Sequence, residues 1–118
     1  MAHGDNDLPE KIAGRLVALG PVEARRMFGG HGIFLEGTMF GLVWRRTLYF
    51  KTGEANRAQY EEAGSRFFTY DRGTRRVSMS YMTVPDEALA DSALLAEWGE
   101  RAYAVARAAK MKSKKAKR

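Results

Sequence analysis

Arg25–Val43 reads RRMFGGHGIFLEGTMFGLV, and its reading decides the fold. Two apolar runs, His31–Leu35 and Thr38–Trp44, are divided by the pair Glu36-Gly37. A two-residue link with a glycine between apolar runs predicts a hairpin, because glycine accepts the positive φ that such turns require. The GGHG run ahead of it leads into a strand rather than a helix, so it is not a dinucleotide-binding fingerprint. No Lys-Ser/Thr follows it, so it is not a phosphate-binding Walker loop either. It reads as a tight, irregular connection between strands, in which Gly29, Gly30 and Gly32 take backbone angles that other residues resist. A secondary reading makes Met27, Phe28, Gly29, Gly30, His31 and Gly32 a candidate recognition loop. Its bare N–H groups and imidazole would receive an anion or a partner's backbone.

Working outward, Val22–Phe28 is a further strand before the hairpin, and Thr47–Lys51 one after it, joined through Arg45-Arg46. Alternation places Phe40, Leu42 and Trp44 on one face of their strand, and Leu48 with Phe50 on one face of the next. Residues 7–19, DLPEKIAGRLVAL, form a helix capped by Asp7, with Pro9 in its first turn and an Ile12-Leu16-Leu19 stripe; Gly20-Pro21 ends it. A second helix spans 54–63 and stops at Gly64. Strands at 66–70 and 76–82 follow, linked by DRGTR, with Val77, Met79 and Tyr81 facing one way and Ser78 and Ser80 the other. Pro85 opens a short turn to Leu89. Asp91 then caps a long helix whose stripe runs through Leu94, Leu95, Trp98, Ala102, Val105 and Ala109. Hairpin-linked strands imply an antiparallel sheet, and the two striped helices are available to cover it. The expected fold is a two-layer α+β domain: an antiparallel sheet of about five to six strands packed with N- and C-terminal helices. It occupies residues 1–109, with a basic tail over 110–118 expected to fray.

The composition narrows the function. The 118 residues carry a net charge of +6, yet six of the twenty Lys and Arg side chains lie in that tail: Lys110, Lys112, Lys114, Lys115, Lys117 and Arg118. The body therefore sets fourteen cations against fourteen acids, and the basicity belongs to the tail. No apolar run approaches the roughly 20 residues a membrane helix needs. The polar, acidic start does not resemble a secretory signal. With no cysteine there is no disulfide, thiol nucleophile or thiolate metal ligand. A cytoplasmic location without membrane association is expected.

No catalytic constellation emerges. His31 is accompanied only by His3, too few for a histidine-rich zinc site. His31 with Glu36 is a conceivable acid–base pair or small-ligand site, but needs a pocket to hold it. None of the five serines sits in a G-x-S-x-G elbow. Glu61-Glu62 and Asp86-Glu87 fall on helices, where exposed carboxylates are ordinary. We therefore expect no enzyme activity, cofactor or metal. The partner signals are cationic. Arg25-Arg26, Arg45-Arg46 and Arg75-Arg76 are candidates for gripping phosphates if they cluster beside exposed rings such as Tyr49, Phe67 or Tyr70. The six tail cations are candidates for non-specific nucleic-acid binding through counterion release.

Four motifs in combination, MFGGHG (Met27–Gly32), FTYDRG (Phe68–Gly73), MSYMTVP (Met79–Pro85) and LLAEW (Leu94–Trp98), resemble the N-terminal domain family of TfoX/Sxy proteins. The resemblance covers Leu8 to Ala109. It implies a two-layer α+β domain similar to secretion-chaperone-like folds. It also implies a bacterial, competence-linked regulatory role beside a cyclic-AMP-responsive activator. Longer members carry a second, C-terminal domain, and the family offers no catalytic residues to carry over. The expected function is a non-enzymatic regulatory or binding module. Its partner would be a protein or, through the tail, nucleic acid. The alternatives are a homodimeric, chaperone-like adaptor and a small-ligand binder using His31, Glu36 and the glycine-rich run.

Overall fold

The computed structural model describes residues 3–27 and 29–116, and the side chains of 8–27 and 29–112. The elements are α1 (His3–Arg15), a 3-10 turn (Val17–Leu19), β1 (Val22–Met27), β2 (Gly30–Leu35), β3 (Thr38–Trp44), β4 (Thr47–Lys51), α2 (Arg57–Glu62), β5 (Phe67–Arg72), β6 (Arg75–Thr83), α3 (Asp86–Leu89) and α4 (Ser92–Ala116). Six strands form one antiparallel sheet in the order β1-β2-β3-β4-β6-β5. This is the α+β layering that the alternation and the two striped helices predict.

One face of the sheet holds the main core. Ile33 and Leu35 of β2, Phe40 and Val43 of β3, Leu48 and Phe50 of β4 and Met82 of β6 meet Ile12 of α1, Leu16 just after it, and Leu95, Ala102 and Ala106 of α4. Rings extend it. Phe40 lies 5.7 Å from Tyr103 of α4, edge to face, and Tyr60 of α2 lies 4.7 Å from Trp98 in the same arrangement. The expected caps are in place at two sites. The Asp91 carboxylate accepts from the Ala93 and Leu94 amides at 2.9 and 3.3 Å, and Gly64 follows α2 with φ +77°.

Several expectations are corrected. In β3, Phe40 does not share a face with Leu42 and Trp44. The β2 partner of Met39 is Phe34 and that of Gly41 is Ile33, so one extra residue is taken up by β3 at this point. That bulge turns Phe40 toward the helices and leaves Leu42 and Trp44 on the other face. The first helix begins at His3, so Asp7 lies within it rather than capping it, and Pro9 is not in its first turn. The Asp7 side chain lies outside the described ones. The second helix starts only at Arg57, because the Asn56 side chain first closes a turn. Its Oδ1 accepts from the Gly53 amide at 2.8 Å and its Nδ2 donates to the Lys51 carbonyl at 3.1 Å. At the other end, α4 runs through Ala109 to Ala116, so the backbone of 110–116 is helical where fraying was expected. Ala, Lys and Met are strong helix formers, and lysines in a last turn face the negative end of the helix dipole. Residues 117 and 118 lie outside the described chain.

The two tight hairpin links differ in cost. Glu36-Gly37 has φ values of +50° and +81°, and Arg45-Arg46 has +49° and +67°. Both adopt the left-handed pair that a two-residue hairpin turn demands, but the second does so with two side chains present. A left-handed non-glycine residue costs roughly 1–2 kcal/mol. Replacing Arg45-Arg46 by Asn-Gly is expected to raise stability by about 1 kcal/mol. That is about 4 °C in Tm for a domain of this size, read by thermal and urea unfolding. An unchanged or lowered midpoint would show that the arginines hold the turn by contacts worth more than the strain.

Candidate binding face

The second face of the sheet has no helix over it among the described residues, and it is not polar. Leu42, Phe68 and Tyr81 are buried there, with Met39, Trp44, Tyr49, Tyr70 and Met79 packed around them. Trp44 on β3 and Phe68 on β5 have ring centroids 5.8 Å apart, although β4 and β6 lie between their strands. At the usual spacing of about 4.8 Å per strand, a flat sheet would separate them by about 14 Å. The β5–β6 hairpin therefore curls over β3 and β4, and the face is concave. Phe68 stands at its centre, edge to face with Trp44 and with Tyr49 at 5.1 Å, and stacked on Tyr70 at 6.0 Å. A cavity of about 490 Å³ opens here, lined by Met39, Leu42, Trp44, Phe68, Tyr70 and Met79, with Arg72 as its one charged wall among the described residues.

The polar groups at the floor are satisfied by the curvature. The Tyr81 hydroxyl donates to the Met39 carbonyl across β4 at 3.3 Å. Burial pushes the Tyr81 pKa up to about 12. Lys51 lies 5.3 Å over the Tyr81 ring and donates to Ser80 Oγ at 2.7 Å, and its burial pulls the ammonium pKa down.

The glycine-rich run belongs to this face, but not as a loop. Only Gly29 of the three has a positive φ, +79°. Gly30 and Gly32 are strand residues of β2, and what matters is their missing Cβ. A Cβ on Gly30 would stand 2.5 Å from the Val43 carbonyl oxygen and 2.9 Å from the Trp44 ring. One on Gly32 would stand 2.6 and 2.8 Å from the sulfurs of Met27 and Met39, and 2.7 Å from the Phe34 ring. The bare strand is the bed on which these side chains lie. Phe28 falls outside the described residues. His31 pairs with Arg26 and Val43 in the ladder, on the helix side with Ile33. Glu36 lies in the turn beyond the end of β2, about 16 Å along an extended strand from His31, so the two form no acid–base pair. Among the described residues no cluster of three or more His, Cys, Asp or Glu could hold a metal ion, and no helix is long and apolar enough to cross a membrane.

The arginine pairs do not form one patch. Arg25 lies over the Phe34 ring at 5.0 Å and pairs with Glu23 at 3.4 Å; Arg45 lies over Trp44 at 5.6 Å. Arg26 stands opposite His31, on the helix side, and Arg46 occupies the β3–β4 turn. Arg75 faces Arg72 at the β5–β6 tip, while Arg76 pairs with Asp71 at 3.4 Å on the reverse side of that hairpin. Arg25, Arg45 and Arg72 thus frame the concave face at separate points. From the tail, Lys110 donates to the Gly37 carbonyl at 3.2 Å, and Lys112 borders a groove between α4 and residues 52–57. The side chains of Lys114, Lys115, Lys117 and Arg118 lie outside the described ones. The sequence reading missed Arg72 and the cavity. A signal existed: Met39–Trp44 has no polar side chain in either register, the pattern of a strand buried on both faces.

A family model described as the TfoX N-terminal domain matches residues 15–106. A curated relative, the DNA transformation protein TfoX1 of Aliivibrio fischeri, is 34% identical over 79 residues. That match covers 67% of this chain and 38% of the relative's length.

Two outcomes test the packing of this face. Gly30→Ala is expected to destabilise by about 2–3 kcal/mol, since its new methyl meets a backbone oxygen. Gly32→Ala should cost about 1 kcal/mol, since it meets the movable ends of two methionines; chemical denaturation ranks them. Stability should also fall as the pH rises through 10 to 12. The folded Tyr81 holds its proton to about 12 and the unfolded one releases it near 10, a difference worth roughly 3 kcal/mol at most. Tyr81→Phe should reduce that fall without abolishing it, because burial also raises the pKa of Tyr60, and should lose about 1 kcal/mol at neutral pH for the missing hydrogen bond.

Proposed function

Because the chain belongs to the TfoX N-terminal domain family, we propose that it is a non-catalytic module of competence regulation, acting by binding and carrying non-specific nucleic-acid affinity at the end of α4. The observation that carries this reading is the placement of charge. The body is balanced, and its arginines are spread over both sides of the sheet. Six cations instead follow one another in the sequence from Lys110 to Arg118, and a single long helix holds Lys110, Lys112, Lys114 and Lys115 within its span. A helix rises about 1.5 Å per residue, so these charges are concentrated on a segment short enough to lie along a few phosphates. The name of the Aliivibrio relative, a DNA transformation protein, supports a reading tied to nucleic acid. The role of His31 as a base has no geometric support, and the side chains gathered on the concave face are rings, thioethers and a guanidinium, groups that hold rather than transform.

The test is fluorescence anisotropy with a labelled DNA duplex at several salt concentrations. The natural chain is compared with one in which Lys112, Lys114, Lys115 and Lys117 are all changed to Gln, which keeps the Lys110 contact and helix propensity. Six cations predict a log–log salt slope of up to about −5 for the natural chain, and the loss of four should reduce it by about 3.6. Equal binding by both chains would move the site to the arginines of the body. No binding by either would end the nucleic-acid reading.

A further inference from the structure

We propose that the concave cavity is a binding site for a small aromatic carboxylate, its ring seated among Trp44, Phe68 and Tyr70 and its carboxylate held by Arg72. This site is separate from nucleic-acid contact at the end of α4, which packs on the opposite face of the sheet. Three observations carry it. The first is volume: about 490 Å³ lies within the range of small-molecule pockets, about 300–1,000 Å³. The second is the lining. Trp44 is already set edge to face with Phe68 and Tyr70 stacked on it, so an entering ring meets both ring faces and ring edges. The Met39 and Met79 thioethers adapt to its outline.

The third is charge. Among the described residues Arg72 is the only ionic group in the wall, no carboxylate lines the cavity, and Arg72 makes no ion pair. Its neighbour across the hairpin is another cation, Arg75. A planar guanidinium at the mouth of an apolar cavity matches a carboxylate through two parallel N–H donors. A nucleic-acid strand fits less well. It needs successive stacking platforms along a continuous basic track, whereas Arg25, Arg45 and Arg72 stand at separate points and the rings converge on one place.

The probe is 2-naphthoate, titrated into the full chain by isothermal calorimetry, with 2-naphthalenemethanol as its neutral counterpart and a fifteen-residue oligothymidylate as the competing class. Naphthoate is expected to bind at one site with a dissociation constant of about 1 mM or tighter, a level reachable by so few atoms. Arg72→Gln should weaken naphthoate about tenfold and leave the alcohol unchanged, while Tyr70→Ala should weaken both. Each variant is first shown to unfold cooperatively at a midpoint near that of the natural chain; if Tyr70→Ala does not, Tyr70→Leu replaces it. The absence of saturable naphthoate binding overturns the proposal, as does indifference to Arg72→Gln. Binding of the oligothymidylate that depends on Trp44, without naphthoate binding, assigns the cavity to a nucleic-acid strand and overturns it equally.

Discussion

Strand β3 lies in the middle of the sheet and has apolar side chains on both of its faces, and the bulge between Met39 and Gly41 is what lets it bury them in two different places. One extra residue reverses the pleat. Phe40 and Val43 join the core beneath α1 and α4, and Met39, Leu42 and Trp44 join a second cluster on the uncovered side. Without the reversal Phe40 would stand with Leu42 and Trp44 on the open face, and the helices would lose the ring that meets both Phe50 and Tyr103. Bulges also increase local twist and bend, and a second irregularity between Phe67 and Phe68 does the same for the β5–β6 hairpin. Curl at both places brings Phe68 to Trp44 across two intervening strands.

The concave face then substitutes for a second helical layer, which the described residues do not place there. An antiparallel sheet with one helical layer ordinarily turns polar side chains to water on its other face. Here the sheet shelters part of that face itself, with the Tyr81 hydroxyl tied back to the Met39 carbonyl and Gly30 and Gly32 leaving room for Trp44 and the two methionines. The shelter is incomplete, and the remaining space is a cavity with one cation on its wall. Small residues, a bulge and an edge hairpin, each unremarkable alone, together make a cavity that no single motif announces.

Much of the domain was legible in the chain. Hairpin signals at Glu36-Gly37 and at Arg45-Arg46, the Asp91 cap, the Gly64 stop and the apolar stripes of the terminal helices are local features. Their physics is settled within a few residues: a positive φ, a side-chain acceptor for orphan amides, a 3.6-residue period. The boundaries of β3 and β4 follow from the same signals. The segregation of charge is likewise a property of the chain. Membership of the family is carried by residues strung along nearly its whole length.

Tertiary structure alone decided which face each side chain of β3 meets, because alternation predicts faces only while pairing stays in register, and a bulge depends on the neighbouring strand. It decided that Gly30 and Gly32 serve close packing rather than turning, since the atoms they make room for come from Met27, Phe34, Met39, Val43 and Trp44, on three strands. It separated His31, within β2, from Glu36, in the turn beyond the strand's far end, and dispersed the arginine pairs over separate points of the sheet. And it brought Arg72 to a cavity whose other walls lie as far back as Met39, because sheet curl is a sum over strands and no local window contains it.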